Sequence, residues 1–296
     1  MKFFSTLRTV LVLGRVSNLP TIWTNVFVGW FLAGGAWDKE LAWLTLGMSL
    51  IYVAGMTLND AFDASWDREH ARSRPIPSGR LSQTSVWTLG ALQMVAGVAI
   101  LLDLTSVHPL FAALLLIAVL LYNWLHKRHA ASVLLMGACR ALVYIGSASA
   151  VVAHTDSIVV PQLVYLIAGG VVIYIAGLTL AARSEHLAAP GGLRPLPRFM
   201  LTLPVLFPLF SFHFQYVPPG PASYAFAGVG VLGVWSWLLV TRGALREKLP
   251  RGIAYAIAGI AFFDAATVTF ADWRAAVVCL VCFVLTLGAQ RIIPAT

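Results

Sequence analysis

Four polar residues close a long apolar run in this chain. They are Asn59, Asp60, Asp63 and Asp67, in the stretch Asn59-Asp60-Ala-Phe-Asp63-Ala-Ser-Trp-Asp67, and the run before them extends from Leu41 to Ala61. Continued as a helix, the run brings them to roughly 0°, 100°, 40° and 80° around the axis, so they share one face. Carboxylates crowded on one face repel one another unless a cation lies between them. Mg²⁺ is a hard cation that takes one or two carboxylates and leaves positions for substrate phosphates. Arg68, Arg72, Arg74 and Arg80 follow directly, and guanidinium groups pair with phosphate oxygens. Acids and then arginines at the end of an apolar helix predict a site for a metal-bound diphosphate. The plainer alternative is a solvated helix end with Asp–Arg pairs; the one-face spacing and the Arg74-Pro-Ile-Pro-Ser-Gly79 turn favour the site.

The elements that position these residues are membrane helices. Hydrophobic residues make up 59% of the 296 and charged ones 11%, where a soluble domain carries about a quarter charged. Apolar stretches near the roughly 20-residue spanning length recur at 16–36, 41–61, 84–103, 109–126, 131–153, 159–182, 199–216, 222–241, 252–270 and 273–290. With the N-terminus in the cytoplasm and each segment crossing, seventeen of the twenty Lys and Arg fall on the cytoplasmic side; Lys39 and Arg274 fall outside, and Arg140 lies within a span. This is the positive-inside bias, so the +8 charge reflects topology and calls for no nucleic-acid partner. Arg8 and Arg15 interrupt the first apolar run and no small-residue cleavage site follows, so no cleavable signal is expected. Cys279-x-x-Cys282 lies in an apolar helix without a nearby His, which predicts packing residues rather than a metal site. His126 and His129, flanking Lys127-Arg128, are expected at the membrane interface.

An internal repeat relates two of the spans. Ile51-Tyr-Val-Ala-Gly-Met-Thr-Leu58 and Ile173-Tyr-Ile-Ala-Gly-Leu-Thr-Leu180 share six of eight residues at an offset of 122. Both segments end at the same membrane face, as in folds built from parallel repeats. The polar motif is not preserved in the second copy. Asn59 faces Ala181, Asp60 faces Ala182, Asp63 faces Glu185 and Asp67 faces Ala189; Arg183 and Glu185 are the polar residues that remain.

The run Asn59-Asp60-x-x-Asp63-x-x-x-Asp67, followed by Arg72-Ser-Arg74-Pro-Ile-Pro-Ser-Gly79-Arg-Leu, resembles the first motif of the UbiA superfamily of intramembrane aromatic prenyltransferases. The Tyr122-x-x-x-x-Lys127-Arg128 turn is similar to that family's next basic loop. The resemblance implies an all-α integral membrane bundle, here of nine or ten transmembrane helices in two four-helix pseudo-repeats around a central cavity, as a single domain over 1–296. It implies that Asn59, Asp60, Asp63 and Asp67 hold Mg²⁺ and through it the diphosphate. Arg72, Arg74, Lys127, Arg128, Arg183 and Tyr122 would contact the substrate, with Asp60, Asp63, Asp67 and Glu185 catalytic. The family's second motif is a further aspartate cluster. This chain keeps one carboxylate there, Glu185, which places the second metal in question. The stretch from Leu178 to Glu185 also resembles the UbiA-like membrane protein of bacterial Ebo clusters.

The chemistry so implied is transfer of a polyprenyl group from its diphosphate to a small lipophilic, aromatic acceptor within the membrane lipid. An allylic diphosphate ionises when its leaving group is stabilised, and the cation survives only in a dry pocket where aromatic faces stabilise it. A lipid-diphosphate binder or transporter using one metal without breaking the bond is the alternative, favoured by Ala181 and Ala182. An ion-coupled transporter is weaker, because the acids gather on one side rather than forming a relay across the bilayer. Arg140 and Asp264 are intramembrane charges that require partners, and Asp264 is a candidate partner for Arg140. Asn18 and Asn25 are candidate lining residues. Pro75, Pro77 and Gly79 predict a shaped loop that lids the site.

Overall fold

A computed structural model of the chain describes residues 2–155, 159–183, 195–207, 209, 213 and 221–295. Among them, twelve α-helices follow in order: α1 Lys2–Leu13, α2 Pro20–Leu32, α3 Lys39–Phe62, α4 Ala64–His70, α5 Gln83–Asp103, α6 Pro109–Leu125, α7 Ser132–Val152, α8 Gln162–Arg183, α9 Pro195–Met200, α10 Pro221–Glu247, α11 Leu249–Val268 and α12 Trp273–Ala289. Six of these, α3, α5, α7, α8, α10 and α11, are long and apolar enough to cross a membrane, and α6 and α12 are shorter apolar helices. Their outer faces carry exposed Leu, Val, Ile and Trp side chains, the surface that lipid rather than water solvates.

Two of the expected spans are not single crossing helices among the described residues. Segment 16–36 is not one crossing helix. α1 ends at Leu13, Arg15 takes a left-handed backbone with φ 43° and ψ 46°, a 3₁₀ turn covers Val16–Asn18, and α2 starts with Pro20 in its first turn. Proline suits that position because the missing N–H has no helical partner there. At 13 residues, α2 rises about 20 Å, less than the roughly 30 Å hydrocarbon core. Segment 199–216 begins as the short α9 and a 3₁₀ turn over Leu203–Leu206; most of its remainder lies outside the described residues. The other spans agree with the sequence expectation within a few residues, apart from α10, which extends to Glu247.

α2 is the centre of the bundle. It packs against α3, α7, α11 and α12, and nearly every residue on it is buried, as for a helix covered on all sides. Helices in lipid associate by close backbone packing at small residues, and Gly29 of α2 provides the closest approach. A Cβ at that position would stand 2.2 Å from the Tyr144 carbonyl oxygen of α7. The alternation of apolar and small residues thereby holds α2 and α7 together around the polar groups described below.

Gly29→Ala should lower the unfolding midpoint in detergent at a cost of about 1–3 kcal/mol, the range for overpacking. Gly169→Ala, where a Cβ meets nothing within 4 Å, should leave it unchanged or raise it. Equal midpoints for the two variants would contradict the α2–α7 packing.

Candidate functional site

The acid cluster is where the sequence pattern placed it, with one refinement. α3 stops at Phe62 and α4 starts at Ala64, with Asp63 between them in a helical conformation. The hydrogen-bond ladder runs through the junction: Asp63 N–H donates to Asn59 O at 2.9 Å and Asp67 N–H to Asp63 O at 2.8 Å. Asn59, Asp60, Asp63 and Asp67 are 6, 8, 4 and 1% exposed, so the three carboxylates turn inward rather than into water. Ion pairs draw them together. Arg74 Nη1 lies 3.0 Å from Asp67 Oδ2, 3.5 Å from Asp60 Oδ1 and 3.9 Å from Asp63 Oδ2. Asp67 Oδ1 is buried without a hydrogen-bond partner among the described residues. Burial pushes the Asp67 carboxyl above the ordinary carboxylate range, Arg74 draws it back, and Asp63 adds to the upward push.

Arg74 reaches this position because its loop is anchored. Ile76 is buried with Leu13, Ala61, Ala64 and Val86. Ser78 Oγ donates to Pro75 O at 3.2 Å, and Arg80 Nη2 donates to Ser73 O. Gly79 makes the turn with φ 74°. The 71–81 loop therefore holds Arg74 against the acids. Arg72 does not join them: it is exposed, and its Nε donates to Arg68 O. The basic loop after α6 divides in the same way. Lys127 Nζ lies 3.5 Å from Asp63 Oδ2 and 3.7 Å above the Trp66 ring, whereas Arg128 sits over Trp124 away from the acids.

His126 belongs to the cluster, not to a bare interface as its flanking position suggested. Its Nε2 is 3.1 Å from Asp63, and its ring stacks on Tyr122 with centroids 5.1 Å apart. The signal available in the sequence was the Asn123-x-x-His126-Lys127 spacing, which puts all three side chains on one helix face. Arg183 braces this loop instead of facing the acids: it donates to Ala130 O, His126 O and Ser132 Oγ. Glu185 lies outside the described residues.

Three carboxylates gathered on one cationic nitrogen, with a buried carboxylate oxygen unpartnered, form a donor set that fits a hard divalent cation. No three His, Cys, Asp or Glu stand ready at metal spacing among the described residues; the guanidinium of Arg74 takes the central place. Asn59 Nδ2 donates to Asn123 Oδ1 at 3.1 Å, and Asn123 Nδ2 to Gly55 O at 3.0 Å.

Asn123 also lines a cavity of about 210 Å³ between α2, α3, α6, α7, α8 and α11. Its walls are mainly apolar, with Ile22, Met48, Ile51, Leu115 and Val119 prominent, and Tyr52, Tyr122, Asn18, Arg15 and Arg140 add polar points. Arg15, which interrupts the first apolar run, is one of these polar points. Its left-handed backbone, rare outside glycine and of the kind stored at functional sites, brings it to the cavity wall.

Arg140 and Asp264 are connected, but not as a direct ion pair. Arg140 Nη1 donates to Asn25 Oδ1 at 2.7 Å and Thr21 O at 3.1 Å, while Asn25 Nδ2 donates to Asp264 Oδ2 at 2.7 Å. Asp264 also accepts from Thr24 at 2.6 Å and Tyr144 at 2.7 Å. Asn25 thus stands between the two charges rather than on the cavity wall. Asn18 lines the cavity, bonded to Ala295 O and Gln290. Cys279 and Cys282 are buried free thiols, as their apolar setting implied.

A model of the UbiA prenyltransferase family matches residues 20–248. The chain is 31% identical over 120 residues to the digeranylgeranylglyceryl phosphate synthase of Methanopyrus kandleri, a match covering 40% of this chain and 44% of that protein. It is 31% identical over 102 residues to the 4-hydroxybenzoate octaprenyltransferase of Stutzerimonas stutzeri, covering 33% and 34%. It is 30% identical over 120 residues to the protoheme IX farnesyltransferase of Bacillus pumilus, covering 38% and 39%. The matches thus span less than half the length of each of these relatives. The fold is similar to the apo structure of a UbiA homolog from Aeropyrum pernix, with a TM-score of 0.68, 18% identity and coverage of 86% of this chain and 97% of that one.

Arg140→Met alone should destabilise the protein in detergent by about 3–5 kcal/mol, because it leaves a buried carboxylate network without its cation. Adding Asp264→Leu should recover part of that loss. Strictly additive losses in the two single variants and the double variant would show that the charges do not communicate through Asn25.

Proposed function

This chain belongs to the UbiA prenyltransferase family, and from that premise we propose that it transfers a polyprenyl group from an isoprenoid diphosphate to a small lipophilic, aromatic acceptor, with Mg²⁺ as cofactor. The observation that carries the reading is the convergence of Asp60, Asp63 and Asp67 on one cationic nitrogen, next to Asn59, whose hydrogen bond to Asn123 leads to the wall of an apolar cavity. Asn59, Asp60, Asp63 and Asp67 would hold the magnesium. When bound, it supplies charge neutralisation of the diphosphate leaving group.

The chain's own residues do the rest. Arg74 and Lys127 turn from the carboxylates to the phosphate oxygens, exchanging an internal ion pair for one with the substrate. The anchored 71–81 loop keeps Arg74 within reach of both. The cavity walls exclude water from the allylic cation, and the faces of Tyr52 and Tyr122 lie on its path. His126, held between Asp63 and Tyr122, fixes the basic loop. Glu185, in sequence register with Asp63, is assigned the proton lost by the acceptor. Arg72 and Arg128, on the outside of their loops, meet a phosphate only after a change of loop conformation. The site faces the cytoplasm, following the distribution of Lys and Arg. The matching octapeptides near the ends of α3 and α8 support two duplicated halves around the cavity.

A second reading is kept by one observation. The counterparts of Asn59 and Asp60 are Ala181 and Ala182, and Arg183 is committed to bracing the 126–132 loop. A chain with a single acidic motif suits binding of a lipid diphosphate without cleavage.

Incubation of the purified chain with a labelled allylic diphosphate, magnesium and a panel of lipophilic aromatic acceptors should release diphosphate over many turnovers. Asp63→Ala should reduce the rate by more than about 100-fold, the scale of losing a preorganised charge contact. Saturable binding with no release on any acceptor favours the binder; unchanged diphosphate binding in Asp63→Ala contradicts both readings. Arg74→Gln should take up Mn²⁺, detected by its electron paramagnetic resonance signal, without diphosphate present. The unmodified chain should need diphosphate to do so.

A further inference from the structure

Away from the central cavity, α8, α9 and α10 enclose a small slot lined by Arg198, Arg242, Arg246, Thr202, Thr241 and Tyr174. It lies toward the same end of the bundle as the acids, where Arg183 at the end of α8 binds the 126–132 loop. Arg242 and Arg246 are four residues apart on α10, so one helix face presents both. Arg198 comes from a different element. α9 can bring it there because Gly177 of α8 has no side chain: a Cβ at 177 would stand 2.6 Å from Met200 Cβ and 3.4 Å from Pro197 O.

Two features of this slot are unsatisfied. No ion pair to any of the three arginines is found among the described residues. Thr241 is 3% exposed, and its Oγ1 has no hydrogen-bond partner among the described residues. A buried helical threonine ordinarily bonds the carbonyl one turn back, as Thr267 and Thr286 do in this protein. The positive-inside rule accounts for arginines at this end. It does not account for their convergence from two elements on one slot, or for a hydroxyl kept without a partner inside it. Three like charges around a slot call for an anion with several oxygens.

We propose that the slot is a phosphate site for an anionic membrane phospholipid. The phosphodiester accepts from the arginines at the mouth of the slot, whose interior of about 20 Å³ has room for one water, and that water links it to the Thr241 hydroxyl. Its acyl chains lie on the exposed apolar side chains that flank the slot, Leu196 and Phe199 on α9 and Leu239 and Val240 on α10. Free phosphate shares the headgroup chemistry but gains nothing from that apolar flank, so the surface favours a lipid. Basic pockets between spanning helices take lipid headgroups in this way. The seated phosphate ties α9 to α10 and so stabilises that side of the bundle.

The test uses the full chain purified in neutral detergent and titrated with phosphatidylglycerol, phosphatidylcholine or inorganic phosphate. Thermal unfolding and native mass spectrometry are read for the unmodified chain, for Arg242→Gln/Arg246→Gln and for Arg198→Gln. One phosphatidylglycerol per chain should be retained and should raise the unfolding midpoint, and its binding should be at least about tenfold weaker in the double variant. Phosphatidylcholine and inorganic phosphate should do neither. Magnesium-dependent binding of an isoprenoid diphosphate should persist in both variants, which shows that they fold and separates this outcome from the fate of the proposed reaction. If the double variant does not fold, Arg198→Gln decides by the same loss. Equal retention of phosphatidylglycerol by the unmodified and altered chains, equal protection by phosphatidylcholine, or protection by inorganic phosphate alone overturns the proposal.

Discussion

Three carboxylates cannot share a buried corner of a membrane bundle without a cation between them. That constraint organises the end of this protein where the acids lie. Asp60, Asp63 and Asp67 come together because the helical ladder continues through the α3–α4 junction, and they stay together because Arg74 and Lys127 are placed against them. The placement is itself costly in loop entropy. Ile76, packed into a small cluster of its own, offsets that cost by pinning the loop that carries Arg74. A corner so built is stable while a protein cation fills it.

The cavity below depends on a second balance of charge. Arg140 and Asp264 would be expensive apart in a low-dielectric interior. They are reconciled through the amide of Asn25, with Thr24 and Tyr144 completing the carboxylate's partners. The network joins α2, α7 and α11, three of the helices that wall the cavity. The close α2–α7 contact at Gly29 stiffens the same walls. The polar network and the small-residue contact are thus two parts of one support for the apolar space beside the acids.

Much of this is legible in the sequence, for identifiable reasons. The spans are visible because length and apolarity alone define them, and the acid face is visible because helical spacing converts directly into direction. What depends on a turn or on distant partners is not visible. Arg72 and Arg74 differ by two positions in one loop, yet one is exposed and the other lies among the carboxylates; the difference follows from where Ile76 is buried. Lys127 and Arg128 are adjacent, and the helix end turns them to opposite sides. The break at Arg15 is hidden because an arginine in the left-handed region carries no signature in its type. Arg140 and Asp264 are recognisable as charges that need partners, but the intervening Asn25 is separated from each by more than a hundred positions, and only packing reveals it. The cavity is a property of six helices together and has no local pattern.

The central claim is that the carboxylate corner exchanges its arginine for a divalent cation when an isoprenoid diphosphate binds. The most direct measurement is a structure of the chain with Mn²⁺ and a non-cleavable thiodiphosphate analogue, phased so that manganese is located by its anomalous signal. The account predicts a manganese peak bounded by Asp60, Asp63 and Asp67, with Arg74 turned onto the phosphate oxygens and the isoprenoid tail in the cavity lined by Ile51 and Val119. A peak elsewhere, with Arg74 still seated among the three carboxylates and the analogue outside the cavity, would contradict it.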